Sequence, residues 1–345
     1  MAQINKPNQY FNTKLWTGTG SSNALTGVGF QPDWTWIKNR TDANSHVLQD
    51  AVRGVGNTII SNNTDLQSAE GSGDLTAFGS DGFTVGTNGR VNGSGKSMVA
   101  WNWKAGTSFT NDASATGIGT IDSAGSFNND SGFSIVSYTG TGSAGTIKHG
   151  LNSVPSIIII KVLTNTANDW CVYHQATGNN QSTFLNGTNA VSSNAFMNNT
   201  TPTSSVFSVD GSNYSSGSSR NYIAYCFAEK KGYSKFGSYT GNGNADGTFV
   251  YTGFKPAFVM WKKSNSTSEW IMVDSKRNTY NEVDKLLRAN QNSAENTYGA
   301  CDFLSNGWKF RDGDTDFQAS GDTYIYMAFA EEPLVGTNNI PATAR

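Results

Sequence analysis

Charged side chains recur at matched positions along the chain, and they are the first candidates for chemistry. Asp50, His174 and Asp274 each end a strand-like run, and Arg53 and Arg277 follow the two aspartates by three residues. Glycoside hydrolysis would need a second carboxylate at a defined separation from the first. The sequence does not repeat such a partner, and a histidine replaces the acid at the middle position. We therefore expect structural Asp–Arg ion pairs at strand ends rather than catalysis.

The remaining reactive groups show no spacing that predicts a site. Lys38, Lys161 and Lys262 each end an apolar run, where a lysine usually caps a sheet edge or reaches solvent, with phosphate or glycan contact as the alternative. The three cysteines and three histidines lack disulfide or metal-ligand spacing. The turn Arg311–Asp316 could hold calcium, but a plain acidic turn is favoured because it occurs once. No catalytic motif is present, so we predict no enzymatic activity, no cofactor and no metal.

Aromatic residues are the strongest signal, because nine of the 345 residues are tryptophan. Large rings in strand-like runs usually belong to a hydrophobic core. Five tryptophans occupy such runs at matched positions, and we expect them to be buried: Trp36, Trp103, Trp261, Trp270 and Trp308.

Other aromatic residues stand among Asn, Ser and Gly, which is a setting suited to sugar binding. An exposed ring stacks on a pyranose face, and neighbouring amides hydrogen-bond to hydroxyl groups without using charge. We select four residues as candidate glycan contacts: Trp16, Trp34, Tyr138 and Tyr239.

Composition excludes several classes of partner. Charged residues make up 14% of the chain and the formal net charge is −2. Nucleic-acid binding depends on clustered Lys and Arg, so we expect no nucleic-acid partner. No apolar run reaches the roughly 18 residues that a membrane helix needs, so we expect no membrane insertion. The first residues lack the apolar core of a signal peptide, so we expect the chain not to be exported by that route.

Matched landmarks divide the chain into three repeats of about 100 residues. Pro32, Pro155 and Pro256 precede similar apolar runs and are spaced by 123 and 101 residues. Alternating and β-branched runs separated by Asp-Gly and Asn-Gly turns predict short antiparallel strands. The helix candidate Asn281–Asn290 is allowed one turn at most, because its counterpart in the first repeat resembles a strand. We predict an all-β fold of three tandem antiparallel β-sandwich repeats of the lectin-like or jelly-roll type.

The same landmarks set the expected domain boundaries. The first repeat is followed by an insert, residues 107–131. It is linker-like in composition, although Ile118–Ile121 could pair as an edge strand. The predicted units are an N-terminal arm (1–8), repeat 1 (9–106), a linker or insert (107–131), repeat 2 (132–231), repeat 3 (232–332) and an extended C-terminal tail (333–345).

Four stretches resemble repeated domains of unknown function in tailed phages of marine bacteria: Ile4–Thr19, Gly27–Arg40, Ser45–Gly54 and Tyr324–Arg345. The resemblance covers the whole chain, and the middle repeat is the most divergent. It implies a lectin-like sandwich, similar to concanavalin or SPRY domains, in virion structural or tail-fibre proteins. It transfers no catalytic residue.

The resemblance leads to three hypotheses of function. The first is a non-enzymatic virion structural protein, displayed as a capsid decoration or head-fibre component that binds glycans. The second is a tail-fibre adhesin that recognises a host cell-surface polysaccharide. The third, a polysaccharide depolymerase, would require paired carboxylates about 5–10 Å apart. The first two imply assembly in the host cytoplasm, other virion proteins as partners, a glycan ligand and a homo-oligomer.

Overall fold

Short antiparallel strands account for almost all regular structure in the computed structural model, which describes residues 2–336 and 341–343. We call residues 9–106, 132–231 and 232–332 segments 1, 2 and 3, and residues 107–131 the insert.

The elements lie in chain order as follows. Segment 1, preceded by a 3₁₀ helix at Pro7–Gln9, contains β1 Phe11–Thr17, β2 Asn23–Thr26, β3 Trp34–Asn39, β4 Val47–Asp50, β5 Asn57–Ile60, β6 Ser68–Ala69, β7 Leu75–Gly79, β8 Gly82–Val85, α1 Gly89–Asn92 and β9 Ser97–Trp103. The insert contains β10 Thr107–Asn111, α2 Ala113–Thr116 and β11 Ser123–Asn128. Segment 2 contains β12 Phe133–Thr139, β13 Gly145–Lys148, β14 Ile157–Val162, β15 Cys171–His174, β16 Gln181–Phe184, β17 Ser192–Ser193, β18 Val206–Val209 and β19 Asn221–Phe227. Segment 3 contains β20 Ser234–Thr240, β21 Phe249–Tyr251, β22 Phe254–Lys263, β23 Trp270–Asp274, β24 Val283–Arg288, β25 Asn296–Leu304, β26 Gly307–Phe310, α3 Thr315–Gln318 and β27 Thr323–Pro333.

Each segment builds a main sheet with the same order of strands. The sheet of segment 1 is β1-β9-β3-β4-β5-β6, and segment 2 repeats this order as β12-β19-β14-β15-β16-β17. Segment 3 begins its sheet with β20-β27-β22-β23-β24-β25 in the same arrangement. The first strand of every segment therefore pairs with the last strand, and the apolar run after the proline landmark lies next to it.

Shorter strands form a second layer over one face of each main sheet. In segments 1 and 2 they are the separate sheets β2-β8-β7 and β13-β18, whereas in segment 3 the eight-stranded sheet itself continues past β25 through β26 to β21. A separate hydrophobic cluster fills the space between the two layers of each segment. The all-β sandwich fold predicted from the sequence is confirmed, whereas the repeat boundaries stay a prediction.

The opposite faces of the three main sheets meet in one shared central core. Alternation along a strand sends successive side chains to opposite faces, so in β14 Ile157 and Ile159 enter the central core while Ile158 and Ile160 enter the core of segment 2. Rings from different segments touch there: Trp34 stacks on Tyr225 with centroids 4.3 Å apart. The continuous apolar runs arise because these strands are buried on both faces.

The insert is not a linker. Strands β10 and β11 extend the main sheet of segment 2, because β11 pairs with β12 along its free edge. Ile121, in the stretch suggested as an edge strand, makes a parallel bridge to Ile147. The helix candidate Asn281–Asn290 was wrong, because β24 occupies Val283–Arg288 as a buried strand.

Several local predictions are confirmed. The five tryptophans expected in the core are at most 4% exposed. All three cysteines are buried and unbonded, with Cys171, Cys226 and Cys301 lying inside the segment cores.

Described residues near each terminus contact the body, and on the C-terminal side Leu334 N donates to Gly253 O at 3.3 Å. Gln3 N donates to Lys231 O at 2.9 Å, and Ile4 enters the central core. The predicted C-terminal tail lies partly outside the described residues, and in its described part Val335 bridges to Pro341.

Candidate functional site

The repeated acidic position joins neighbouring segments. Asp50, at the end of β4, forms an ion pair with Arg53 (Oδ2 to Nε, 2.6 Å) and accepts a hydrogen bond from Tyr225 Oη of segment 2 at 2.7 Å. The Asp50 side chain is fully buried and that of Arg53 is 4% exposed. The expected ion pair is confirmed, and it also fixes segment 1 to segment 2.

Asp274 and His174, at the matching positions of segments 3 and 2, make the other two contacts, so that each segment is bonded to both of the others. Asp274 pairs with Arg277 at 2.5 Å and accepts from Trp101 Nε1 of segment 1 at 3.0 Å. His174 makes the contact from segment 2 to segment 3 through Nε2 and the Tyr326 carbonyl at 3.1 Å. Burial lowers the pKa of His174 to about 4, so this copy is neutral near pH 7.

The three strand-end lysines are buried between segments rather than directed to solvent. Lys161 Nζ donates to Thr64 O at 2.8 Å, and Lys262 Nζ donates to Thr188 O at 3.0 Å. Lys38 Nζ closes the cycle by donating to Asn292 O at 3.1 Å. Burial lowers the pKa of each lysine to about 8. The expectation of solvent-reaching lysines was wrong because each ammonium satisfies backbone carbonyls of the neighbouring segment.

Three of the four predicted glycan contacts have little accessible surface. Trp34 is 1% exposed within the central core, while Tyr138 and Tyr239 are 5% and 8% exposed in their segment cores. The two tyrosine hydroxyls donate to Ser215 O and Phe317 O, both at 2.6 Å. Trp16 is partly exposed and makes an edge contact with Phe83. The structure therefore does not bring the four rings together on one surface.

An open polar cleft lies where the insert meets segments 1 and 2. It encloses about 900 Å³, and Tyr138 is the one residue of the four candidates that lines it. Its apolar lining comes from Val52 of segment 1, Ile121 of the insert, and Leu163 and Tyr222 of segment 2. The hydroxyl, amide and carboxylate groups around it come from Gln67, Thr110, Asn111, Asp112, Thr120, Asp122, Ser123, Ser137, Thr139, Thr141 and Asn221.

Hydrogen bonds within the insert fix the part of the insert that lines the cleft. Asp112 caps α2 by accepting from Ala115 N at 3.0 Å, and Asp122 accepts from Ala113 N at 2.8 Å. Sequence reasoning missed the cleft because the insert resembled a linker. The available signal was the longer offset between the first two copies, which marks extra residues at one junction.

The acidic turn Arg311–Asp316 has a local structural role. Asp314 caps α3 by accepting from Asp316 N at 2.7 Å. Within the described residues, no group of three or more His, Cys, Asp or Glu side chains has a geometry that could hold a metal ion. No helix in the described part of the chain is long and apolar enough to cross a membrane.

The fold and the bonds between its main sheets define an all-β sandwich protein whose main sheets share one central core. The chain belongs to the family described as a domain of unknown function, DUF7483, whose model matches residues 6–333. That single match spans all three segments and the insert between them. No curated protein and no solved structure matched the chain.

Proposed function

We propose that this chain is a non-enzymatic structural protein of a bacteriophage particle. It is displayed on the surface as a capsid decoration or head-fibre component and assembles in the host cytoplasm with other virion proteins. The observation that carries the proposal is the use of matched charged residues as bonds between segments. Asp50, Asp274 and His174 hold the body together, so these chemically versatile groups serve rigidity rather than turnover.

The phage assignment draws on the sequence resemblance, and the surface location draws on composition. A body with few charges and a hydroxyl-rich exterior suits exposure to solvent and contact with uncharged partners. Its shared core is assembled from residues of all three segments of one chain. A homo-oligomer stays a prediction that concerns assembly on the particle.

Location and stoichiometry test the proposal directly. Purified particles would be analysed by quantitative mass spectrometry against the major capsid protein, and the chain would be located by electron cryomicroscopy. Hundreds of copies distributed over the head would support a decoration or head-fibre protein. Absence from the particle would overturn the virion assignment.

A tail-fibre adhesin that recognises a host polysaccharide is the second candidate, and the cleft beside the insert favours it. Its hydroxyl and amide lining is the kind of surface that binds sugars without charge. A few to a few dozen copies at the tail would support this candidate over the first.

A further inference from the structure

We propose that the cleft between segments 1 and 2 is a binding site for a neutral saccharide. The proposal deepens the glycan-binding role within the proposed function and rests on it for its biological meaning. Binding can nevertheless be measured on the isolated chain, so its failure would be distinct from failure of the virion assignment.

The cleft combines the two surfaces that a sugar needs. Pyranose rings present apolar C–H faces and a periphery of hydroxyl groups. The lining includes Val52, which is partly exposed, and the small accessible parts of Ile121 and Leu163 (5% and 7%), together with exposed hydroxyl and amide groups such as those of Thr110, Thr139 and Asn221. Asn221 Oδ1 accepts from Thr139 Oγ1 at 3.1 Å. This bond leaves the Asn221 Nδ2 group without a protein acceptor among the described residues, so it is available to a ligand hydroxyl.

Charge selects a neutral ligand over an anionic one. Asp112 and Asp122 are exposed in the wall formed by the insert, and both would repel a carboxylate or sulfate. Among the described residues that line the cleft, Arg53 is the one basic side chain, and it is already paired with Asp50. A phosphorylated or uronic-acid ligand would therefore meet net negative charge.

Both walls are structured by the protein itself. Ser137 Oγ donates to Ala124 O at 3.0 Å, which joins β12 to β11 beyond their backbone ladder. The caps of Asp112 and Asp122 fix the loop around α2. A site that is held in its binding shape before the ligand arrives loses less entropy on binding.

The insert makes this junction different from the other two. Segments 2 and 3 are joined by a short connection between Phe227 and Ser234, with no added strands. Thr240 is the counterpart of Thr139, since each follows the final tyrosine of the first strand in its segment, and both are exposed. This pair supplies a matched control, because the same substitution can be made beside the insert and away from it.

The test measures binding of methyl glycosides of glucose, galactose, mannose, xylose, fucose and N-acetylglucosamine to the full chain. Saturation-transfer NMR would detect contact, titration would give Kd, and methyl glucuronide would serve as the anionic probe. We expect at least one neutral glycoside to bind. Thr139→Trp should fill the cleft and raise its Kd at least tenfold, whereas Thr240→Trp should change Kd less than twofold. Asn221→Ala should raise Kd by about fivefold to tenfold through the loss of one or two hydrogen bonds.

Three results would overturn the proposal. They are no contact with any neutral glycoside at 10 mM, equal effects of the two tryptophan variants, or tighter binding of the glucuronide than of every neutral probe. Circular dichroism and thermal melting of each variant would establish that Thr139→Trp remains folded. If it does not, Asn221→Ala provides the decisive comparison.

Discussion

Replacing Asp50 by Asn removes one negative charge from the junction of segments 1 and 2 with little change in shape. The carboxylate accepts from Arg53 N, Arg53 Nε and Tyr225 Oη at 2.8, 2.6 and 2.7 Å. After the change, the Arg53 guanidinium stays buried without its counter-ion. Leaving one partner of a buried pair uncompensated costs about 3–5 kcal/mol of unfolding free energy, and we expect that loss.

The chain provides two controls for this measurement. Asp42 pairs with Lys96 at 2.9 Å on the surface, where both side chains are about 40% exposed. Asp42→Asn should therefore cost much less stability than Asp50→Asn, because solvent screens an exposed ion pair. The double change Asp50→His with Arg53→Thr introduces the uncharged pair found in segment 2, where His174 and Thr177 occupy the matching positions. It removes both charges together and should cost less than Asp50→Asn alone.

Urea unfolding followed by tryptophan fluorescence gives the three free energies, provided that the slope with denaturant is unchanged. A loss of stability in Asp50→Asn no greater than that in Asp42→Asn would contradict a penalty for the buried, unpaired Arg53. A double variant that is less stable than the single one would also contradict it, because the penalty would then not arise from the unpaired charge.

Further predictions concern the core, the lysines and the thiols. Trp270→Ala and Trp308→Ala should each cost about 3–5 kcal/mol in urea unfolding; near-neutral effects would contradict their core assignment. Lys161 has a folded pKa of about 8 against 10.5 when unfolded, so the unfolded chain binds more protons between these values and stability rises with pH. The stability difference between wild type and Lys161→Met should therefore shift in favour of wild type by about 1 kcal/mol from pH 8 to 9, and a constant difference would exclude this linkage. Burial raises the pKa of all three cysteine thiols, so a thiol reagent should label them only after unfolding; rapid labelling of the native protein would show that they are accessible.

The strands within each segment were predictable because the patterns that specify them involve residues close together in the sequence. The alternation of β12 and the β-branched run of β14 indicate strands, and the three-residue spacing of Asp50 and Arg53 indicates an ion pair. The failed helix at Asn281–Asn290 shows the limit of this approach. Leu286 and Leu287 lie three and four residues after Val283, a spacing that suits a helix, yet a strand forms because Leu286 enters the core of segment 3 and Leu287 enters the central core.

The hydrogen bonds between segments were not predictable, because most of them end on backbone carbonyl oxygens. Lys161 bonds to Thr64 O and Trp170 Nε1 bonds to Ile60 O at 2.8 Å, and an acceptor of this kind can belong to any residue type. One contact did leave a trace in the sequence. Asp50 faces Tyr225, whose hydroxyl donates a hydrogen bond to the carboxylate. In the next segment Met327 occupies the position that corresponds to Tyr225, and its side chain could not donate to an acid in place of His174.

The candidate cleft depends on the same long-range relations. Tyr138 was selected for its ring, but its hydroxyl is used by Ser215 O and its ring is covered by the core. The exposed polar groups that line the cleft come from the insert and from the strand ends of segment 2. Their sequence signals are weak, because Thr, Asn and Ser are common in any loop.

The cyclic order of contacts has a consequence for synthesis of the chain. Segment 1 meets segment 3 through Lys38 with Asn292 and Arg40 with Glu295, pairs separated by 254 and 255 residues. After residue 106 leaves the ribosome, the roughly 190 residues up to Glu295 must still be translated, which takes about 10–40 s at usual rates. During that interval Phe11 and Trp103, on the inner face of the first sheet, lack their segment 3 partners Phe258 and Phe329. The nascent chain is therefore most exposed to aggregation in the interval between the synthesis of segment 1 and that of segment 3. Slow translation lengthens this interval and should increase the need for a chaperone.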